Sequence, residues 1–247
     1  MKEKIKQILL KSNDRFTLCI ELINKFDLST VAELGVYRGN FAQKILEKSD
    51  CIKTYTMIDP WRNLSNWNKP ANYNNDTFEA FFQETMQKTN FAKEKRIILR
   101  GKTTEVIHKI KDHTYDFVYI DGDHTLKGIS IDLINLWPKV KNNGFIVGDD
   151  FSSSIWQHST KFEPTLVFPF AVYFAEAVNA KIYGLPCDQF LIEKKEKSKF
   201  EFIDLTNGKY ANLELRTQLL ISQKLNIKKM VKKTIPFVSK IHSALKK

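Results

Sequence analysis

Two acidic runs hold most of the chemistry this chain can offer. "FVYIDGDHTLKG" (117–128) sets Asp121, Asp123 and His124 within four positions, directly after four apolar residues. "GFIVGDDF" (144–151) ends a second apolar run on Asp149 and Asp150. Carboxylates are hard oxygen donors suited to a cation such as Mg²⁺, and a histidine among them can exchange a proton near neutral pH. A hydroxyl nucleophile needs both services, because its pKa must be lowered and its proton removed. Upstream, "ELGVYRGNF" (33–41) carries Gly35 and Gly39, which let backbone approach a ligand ahead of a helix N-terminus. The spacing is not G-x-G-x-x-G, so a dinucleotide pyrophosphate fits poorly. "YTMIDP" (55–60) presents Asp59, whose carboxylate can accept both hydroxyls of a ribose.

These residues need a frame that gathers them. Runs at 30–36, 53–60, 95–101, 115–121 and 144–150 read as strands, alternating with helical patterns. One helix follows Gly39, with Phe41, Ile45 and Leu46 on one side. A second repeats Leu126, Ile129, Leu133, Leu136 and Trp137 and stops at Pro138, and a third covers 169–180. Residues 180–186 and 189–195 lie close enough for an antiparallel pair. The pattern predicts an α/β fold: a doubly wound, mostly parallel, seven-stranded, Rossmann-like sheet with a terminal antiparallel hairpin. Ligands of such sheets bind outside the carboxyl ends of the strands, at the switch point of strand order. Glu33 to Gly39, Asp59, Gly101, Asp121 to His124, and Asp149 with Asp150 all fall on that edge.

Several residues carry a structural reading beside the chemical one. Asp123 reads as the N-cap of the helix holding Leu126 and Ile129 rather than as a ligand. His124 is a candidate base or a structural hydrogen-bonder. Asp149 is a candidate ligand or a contact to substrate or backbone. Asp132 falls opposite the apolar stripe of its helix and reads as structural or exposed. Arg38 pairs with a ligand carboxylate or faces solvent. His158 lies in a stretch where substrates meet loops. The irregular segment 61–76 holds Trp61, Trp67 and Tyr73, which form either a lid and stacking surface or packing under a long loop.

The 247 residues carry a net charge of +11, unevenly spread. From Ile221 to Lys247 there are eight lysines and no acid, which leaves the remainder at about +3. A near-neutral main domain weighs against a nucleic-acid-binding core. The tail mixes apolar residues with charged side chains that are all lysine, which suits an anionic membrane surface or packing on its own domain or a dimer partner. No run approaches a membrane span, and the three cysteines are scattered, so the expectation is a cytoplasmic protein peripheral to the inner membrane face, without structural zinc. The expected divisions are an N-terminal helical segment (1–27), a main domain (28–200) with an insertion at 61–94, and a basic appendage (201–247).

"VAELGVYRGNFA", "YTMIDPW", the stretch 115–151 and the closing hairpin together resemble a class I S-adenosylmethionine-dependent methyltransferase over about residues 28–195. The stretch 115–151 is similar to the branch of metal-dependent O-methyltransferases acting on macrolide sugars and cephalosporin precursors. That resemblance implies a seventh strand inserted antiparallel between the fifth and sixth. It also implies S-adenosyl-L-methionine contacts by Glu33, Gly35, Gly39, Asp59, Asp121 and Gly101 with Lys102 and Thr103. Asp121, Asp149 and Asp150 would bind Mg²⁺, with His124 as base beside Asp121. The implied activity is O-methylation of a carbohydrate or similar hydroxylated small molecule, in surface polysaccharide biosynthesis. The competing readings are a metal-independent methyltransferase on a phenol, amine or RNA base, and a non-catalytic nucleoside-binding scaffold. Homo-oligomer formation is compatible with each.

Overall fold

The computed structural model describes residues 1–158 and 161–210, together with Lys224 and Ile227. Two helices, α1 (Lys2–Leu9) and α2 (Arg15–Lys25), precede the sheet. The chain then runs β1 (Thr30–Leu34), α3 (Asn40–Lys48), β2 (Thr54–Asp59), α4 (Asn75–Lys88) and β3 (Arg96–Arg100). Next come α5 (Thr103–Val106), β4 (Tyr115–Ile120), α6 (Leu126–Leu136), β5 (Val140–Gly148) and α7 (Val167–Ala177). It closes with β6 (Lys181–Leu185), β7 (Gln189–Glu193) and β8 (Glu201–Asp204).

The strands form one sheet in the order β3-β2-β1-β4-β5-β7-β6-β8. The first five are parallel, and β7 lies antiparallel between β5 and β6, as the resemblance implies. An eighth strand was not anticipated. β8 pairs parallel with β6, so the sheet reaches Asp204 and takes in residues assigned from sequence to the basic appendage. Its "EFID" is too short to signal a strand by itself, and the exposed edge of β6 supplies the pairing. The lysine-rich stretch from Ile221 otherwise lies outside the described residues.

Alternate residues of each central strand point to opposite faces, and both faces are buried. Val31, Tyr55, Met57, Phe117, Tyr119 and Val147 pack under α1, α2 and α3 through Ile5, Leu18, Leu22, Phe41 and Ile45. Ala32, Leu34, Ile58, Val118, Ile120 and Ile146 pack under α6 and α7 through Ile129, Leu133, Phe168, Ala171 and Val172. Strand order reverses between β1 and β4, which places the switch point where Glu33 to Gly39 meet Asp121.

Candidate functional site

The turn after β1 is built for close approach. Gly35 has φ +87°, and a Cβ there would stand 2.0 Å from the Asp121 carbonyl oxygen, so only glycine fits. Gly39, at φ +70°, caps α3, and a Cβ there would meet Thr85 at 2.8 Å. Asp59 fastens this turn: Oδ2 accepts from the Val36 and Tyr37 backbone N–H, each at 2.9 Å. Its Oδ1 accepts from the Trp61 N–H at 2.7 Å. Burial pushes the Asp59 pKa up, against the opposing pull of these three amides. Trp61 is fully buried and donates Nε1 to the Tyr37 carbonyl at 2.8 Å, so it braces the turn and is no lid.

Glu33 lies beneath the turn, buried, accepting from the Tyr55 hydroxyl at 2.7 Å. Desolvation raises its pKa well above the ordinary range. Arg38 is exposed and pairs with Glu84 at 2.7 Å. After β3, Gly101 donates its N–H to the Asp59 carbonyl at 3.0 Å, and exposed Lys102 lies beside Glu105. Thr103 is buried and donates to Asp132 Oδ1 at 2.6 Å. Asp132 is thus not exposed: it is 4% accessible, and burial pushes its pKa up to about 7. The helical pattern missed this because α6 buries more than its apolar stripe, and the far side faces Thr103.

Asp121, His124 and Asp150 converge. Each offers one ligand atom, and those atoms all lie within 4.8 Å of one another. His124 Nδ1 pairs with Asp150, and Nε2 sits 3.4 Å from Asp121 Oδ1. That Nε2 is buried and makes no hydrogen bond. Burial alone would lower the His124 pKa, but the two carboxylates outweigh it and raise the value to about 9. Burial likewise works to raise Asp150, yet His124 and Gln157 reverse it and hold the carboxyl below its usual value. Asp123 is not the helix cap. Thr125 is, accepting from the Gly128 N–H at 3.1 Å, while Asp123 Oδ1 accepts from the Thr125 N–H at 3.0 Å.

Asp149 lies at the same corner but outside this trio, tied to Asp121 through Arg15. It binds Arg15 Nη1, and Gln189 Nε2 donates to its other oxygen. Gln189 is fully buried and accepts from Tyr119 Oη at 3.0 Å, and the Tyr119 ring stacks on Phe41 at 3.9 Å. Arg15 Nη1 also donates to Asp121 Oδ2 at 2.9 Å, bridging two of the three carboxylates. Arg15 and Gln189 were not found from sequence. Gln189 left a trace, as a polar residue opening the otherwise apolar "QFLI" of β7. Arg15 left none, since it lies 106 residues before its partner.

The loops around the corner are tied together. Lys69 is buried and donates to the Glu163 carbonyl at 2.8 Å, and Asn68 donates to the Lys161 carbonyl at 2.9 Å. Gln157 donates to Asp150 and accepts from the Thr165 hydroxyl at 2.9 Å. His158 is half-buried, its ring 6.3 Å from that of Phe162. Trp67 is half-buried, and Tyr73 is exposed, 6.3 Å from the Tyr37 ring beside the glycine turn.

Comparison with known proteins matches this frame. The methyltransferase domain model covers residues 32–151, from the third residue of β1 to just past the Asp149–Asp150 pair. No curated protein matches the sequence. Among solved structures, one from Staphylococcus aureus described as a caffeoyl-CoA O-methyltransferase aligns with a TM-score of 0.54 at 18% identity, over 78% of this chain and 91% of that one. The cofactor-bound Rv0187 of MTB aligns with a TM-score of 0.53 at 12% identity, over 75% of this chain and 82% of that one. A protein of Corynebacterium glutamicum aligns with a TM-score of 0.51 at 13% identity, over 79% and 89%. At these identities the structural likeness speaks for the fold. The domain match marks residues 32–151 as similar to a methyltransferase domain, on a fold that the solved structures share.

Proposed function

We propose that the chain transfers a methyl group from S-adenosyl-L-methionine to a hydroxyl of a small molecule, with a divalent cation such as Mg²⁺ held at the acidic corner. The observation that carries this reading is the convergence of Asp121, His124 and Asp150, with His124 Nε2 buried 3.4 Å from Asp121 Oδ1. Two hard carboxylates and a nitrogen at this spacing fit a divalent cation, and Asp121 and Asp150 are the residues that would hold it. When bound, such an ion supplies Lewis acidity that lowers the pKa of a nearby hydroxyl. His124 Nε2 receives the hydroxyl proton, while Asp150 at Nδ1 fixes the ring and favours the charged imidazolium. A cation on those carboxylates would offset the charge that raises His124 and favour its neutral, proton-accepting form. The Gly35 turn receives the methionine end of the cofactor. Asp59, Gly39 and Glu33 shape that pocket chiefly from behind, and Gly101 to Thr103 border the nucleoside side.

A carbohydrate hydroxyl is the substrate class placed first, supported by the exposed Tyr37–Tyr73 pair as an aromatic face beside the glycine turn. Contact with an anionic membrane surface rests on the lysine-only tail and is tested by co-sedimentation with anionic vesicles. The test of the central reading is a binding titration with S-adenosyl-L-methionine and S-adenosylhomocysteine, followed by turnover on sugar and phenol panels with Mg²⁺ or EDTA. Cofactor binding with turnover abolished by EDTA is expected. Absence of nucleoside binding removes the enzyme reading, and turnover indifferent to EDTA removes the metal. A metal-independent second reading is favoured by one observation, the Arg15 cation already seated on Asp121 and Asp149.

A further inference from the structure

We propose that Arg15 is a built-in counter-cation of the acidic corner, which a divalent cation must displace from Asp121 in order to bind. The inference rests on the divalent-cation reading above. Asp121 is the shared residue: its Oδ2 is taken by Arg15 at 2.9 Å, and its Oδ1 lies 3.4 Å from His124 Nε2. With Asp149 and Asp150, three carboxylates crowd one corner of the sheet edge, and the Arg15 guanidinium bridges two of them. A guanidinium cannot shed its charge by losing a proton, so it relieves repulsion with an incoming cation only by moving.

The surroundings allow that movement without loss of the helix. α2 is anchored by Leu18, Cys19, Leu22 and Ile23 in the core, and by a capping box between Asp14 and Thr17. None of these contacts involves the Arg15 side chain, which is 34% exposed and lies 5.3 Å over the Phe16 ring while it holds the carboxylates. Asp149 keeps its second partner, Gln189, when Arg15 leaves. The N-terminal segment is therefore coupled to occupancy of the site. Without the ion, Arg15 keeps the carboxylates apart from bulk solvent and in register; with it, the arm is released. By linkage, whatever Arg15 gains from Asp121 is subtracted from the affinity of the ion.

The experiment is calorimetric titration of full-length wild type, R15Q and R15K with Mn²⁺ and Mg²⁺, without substrate. R15Q is expected to bind the ion about tenfold more tightly, within the range usual for coupled sites, with R15K between the two. In the wild type, the Arg15 side-chain N–H NMR signal is expected to move to the position of a free arginine as Mn²⁺-free Mg²⁺ saturates the site. This second readout decides the matter should R15Q fail to fold. Equal or weaker binding by R15Q, an Arg15 signal unmoved at saturation, or no ion binding by any of the three proteins overturns the proposal. S-adenosyl-L-methionine titration of the same samples separates the two claims. Cofactor binding with EDTA-insensitive turnover sinks the Arg15 switch and leaves the methyltransferase standing, whereas loss of cofactor binding in the wild type sinks the enzyme reading itself.

Discussion

Asp132 and His124 are titratable groups moved in the same direction by opposite causes. Burial raises Asp132 to about 7 from an ordinary 3.8, against the smaller opposing pull of the Thr103 hydroxyl. A carboxyl with a raised folded pKa contributes stability that is full below the unfolded value and is lost as pH rises toward 7. Asp132→Asn keeps an acceptor for Thr103 and removes the charge. Its unfolding free energy from urea titration is therefore expected to exceed that of wild type at pH 8, on the order of a few kcal/mol, with the advantage fading by pH 4. An advantage that is equal at both pH values contradicts the assignment. His124 is raised instead by its two carboxylate neighbours. His124→Asn is expected to lower turnover by about 10² to 10⁴ with cofactor affinity unchanged, as removal of a general base requires. A matching loss of cofactor affinity would mean that the residue shapes the pocket rather than moves a proton.

At the scale of elements, the β1–α3 turn and the loop after β4 form one unit. Asp59 holds the turn from below by three amides, and the Asp121 backbone passes directly over Gly35. Gly35→Ala adds a methyl into that carbonyl at a backbone angle that L-residues avoid, so the turn has to open. The expected result is a loss of at least roughly 2 kcal/mol of folding stability together with weakened cofactor binding, read by thermal melts with and without S-adenosylhomocysteine. Unchanged binding would show that the turn does not form the cofactor pocket. The two glycines and the strand tips were legible because turn chemistry is local. The true cap at Thr125 was not, since Asp123 and Thr125 are both good caps and only the entry angle of α6 selects between them.

For the whole molecule, the doubly wound sheet brings segments more than a hundred residues apart to one edge, and ligand binding there should be felt throughout. S-adenosyl-L-methionine at about 100 times its dissociation constant is expected to stabilise the fold by about 2.7 kcal/mol, a rise of several degrees in a thermal melt. Absence of any shift with a ligand that calorimetry shows to bind would mean that the unfolded chain binds it too. The sequence by itself determined the strand–helix alternation, the antiparallel hairpin and the acids at the strand ends, because periodicity and turn residues are properties of neighbours along the chain. Only the tertiary structure decided which of those acids meet. It joined Asp121 and Asp150 through His124, turned Asp149 toward Gln189, and seated Arg15 from a preceding helix on the same corner. Those pairings depend on strand order and on how α2 packs across the sheet, and neither leaves a mark in local sequence.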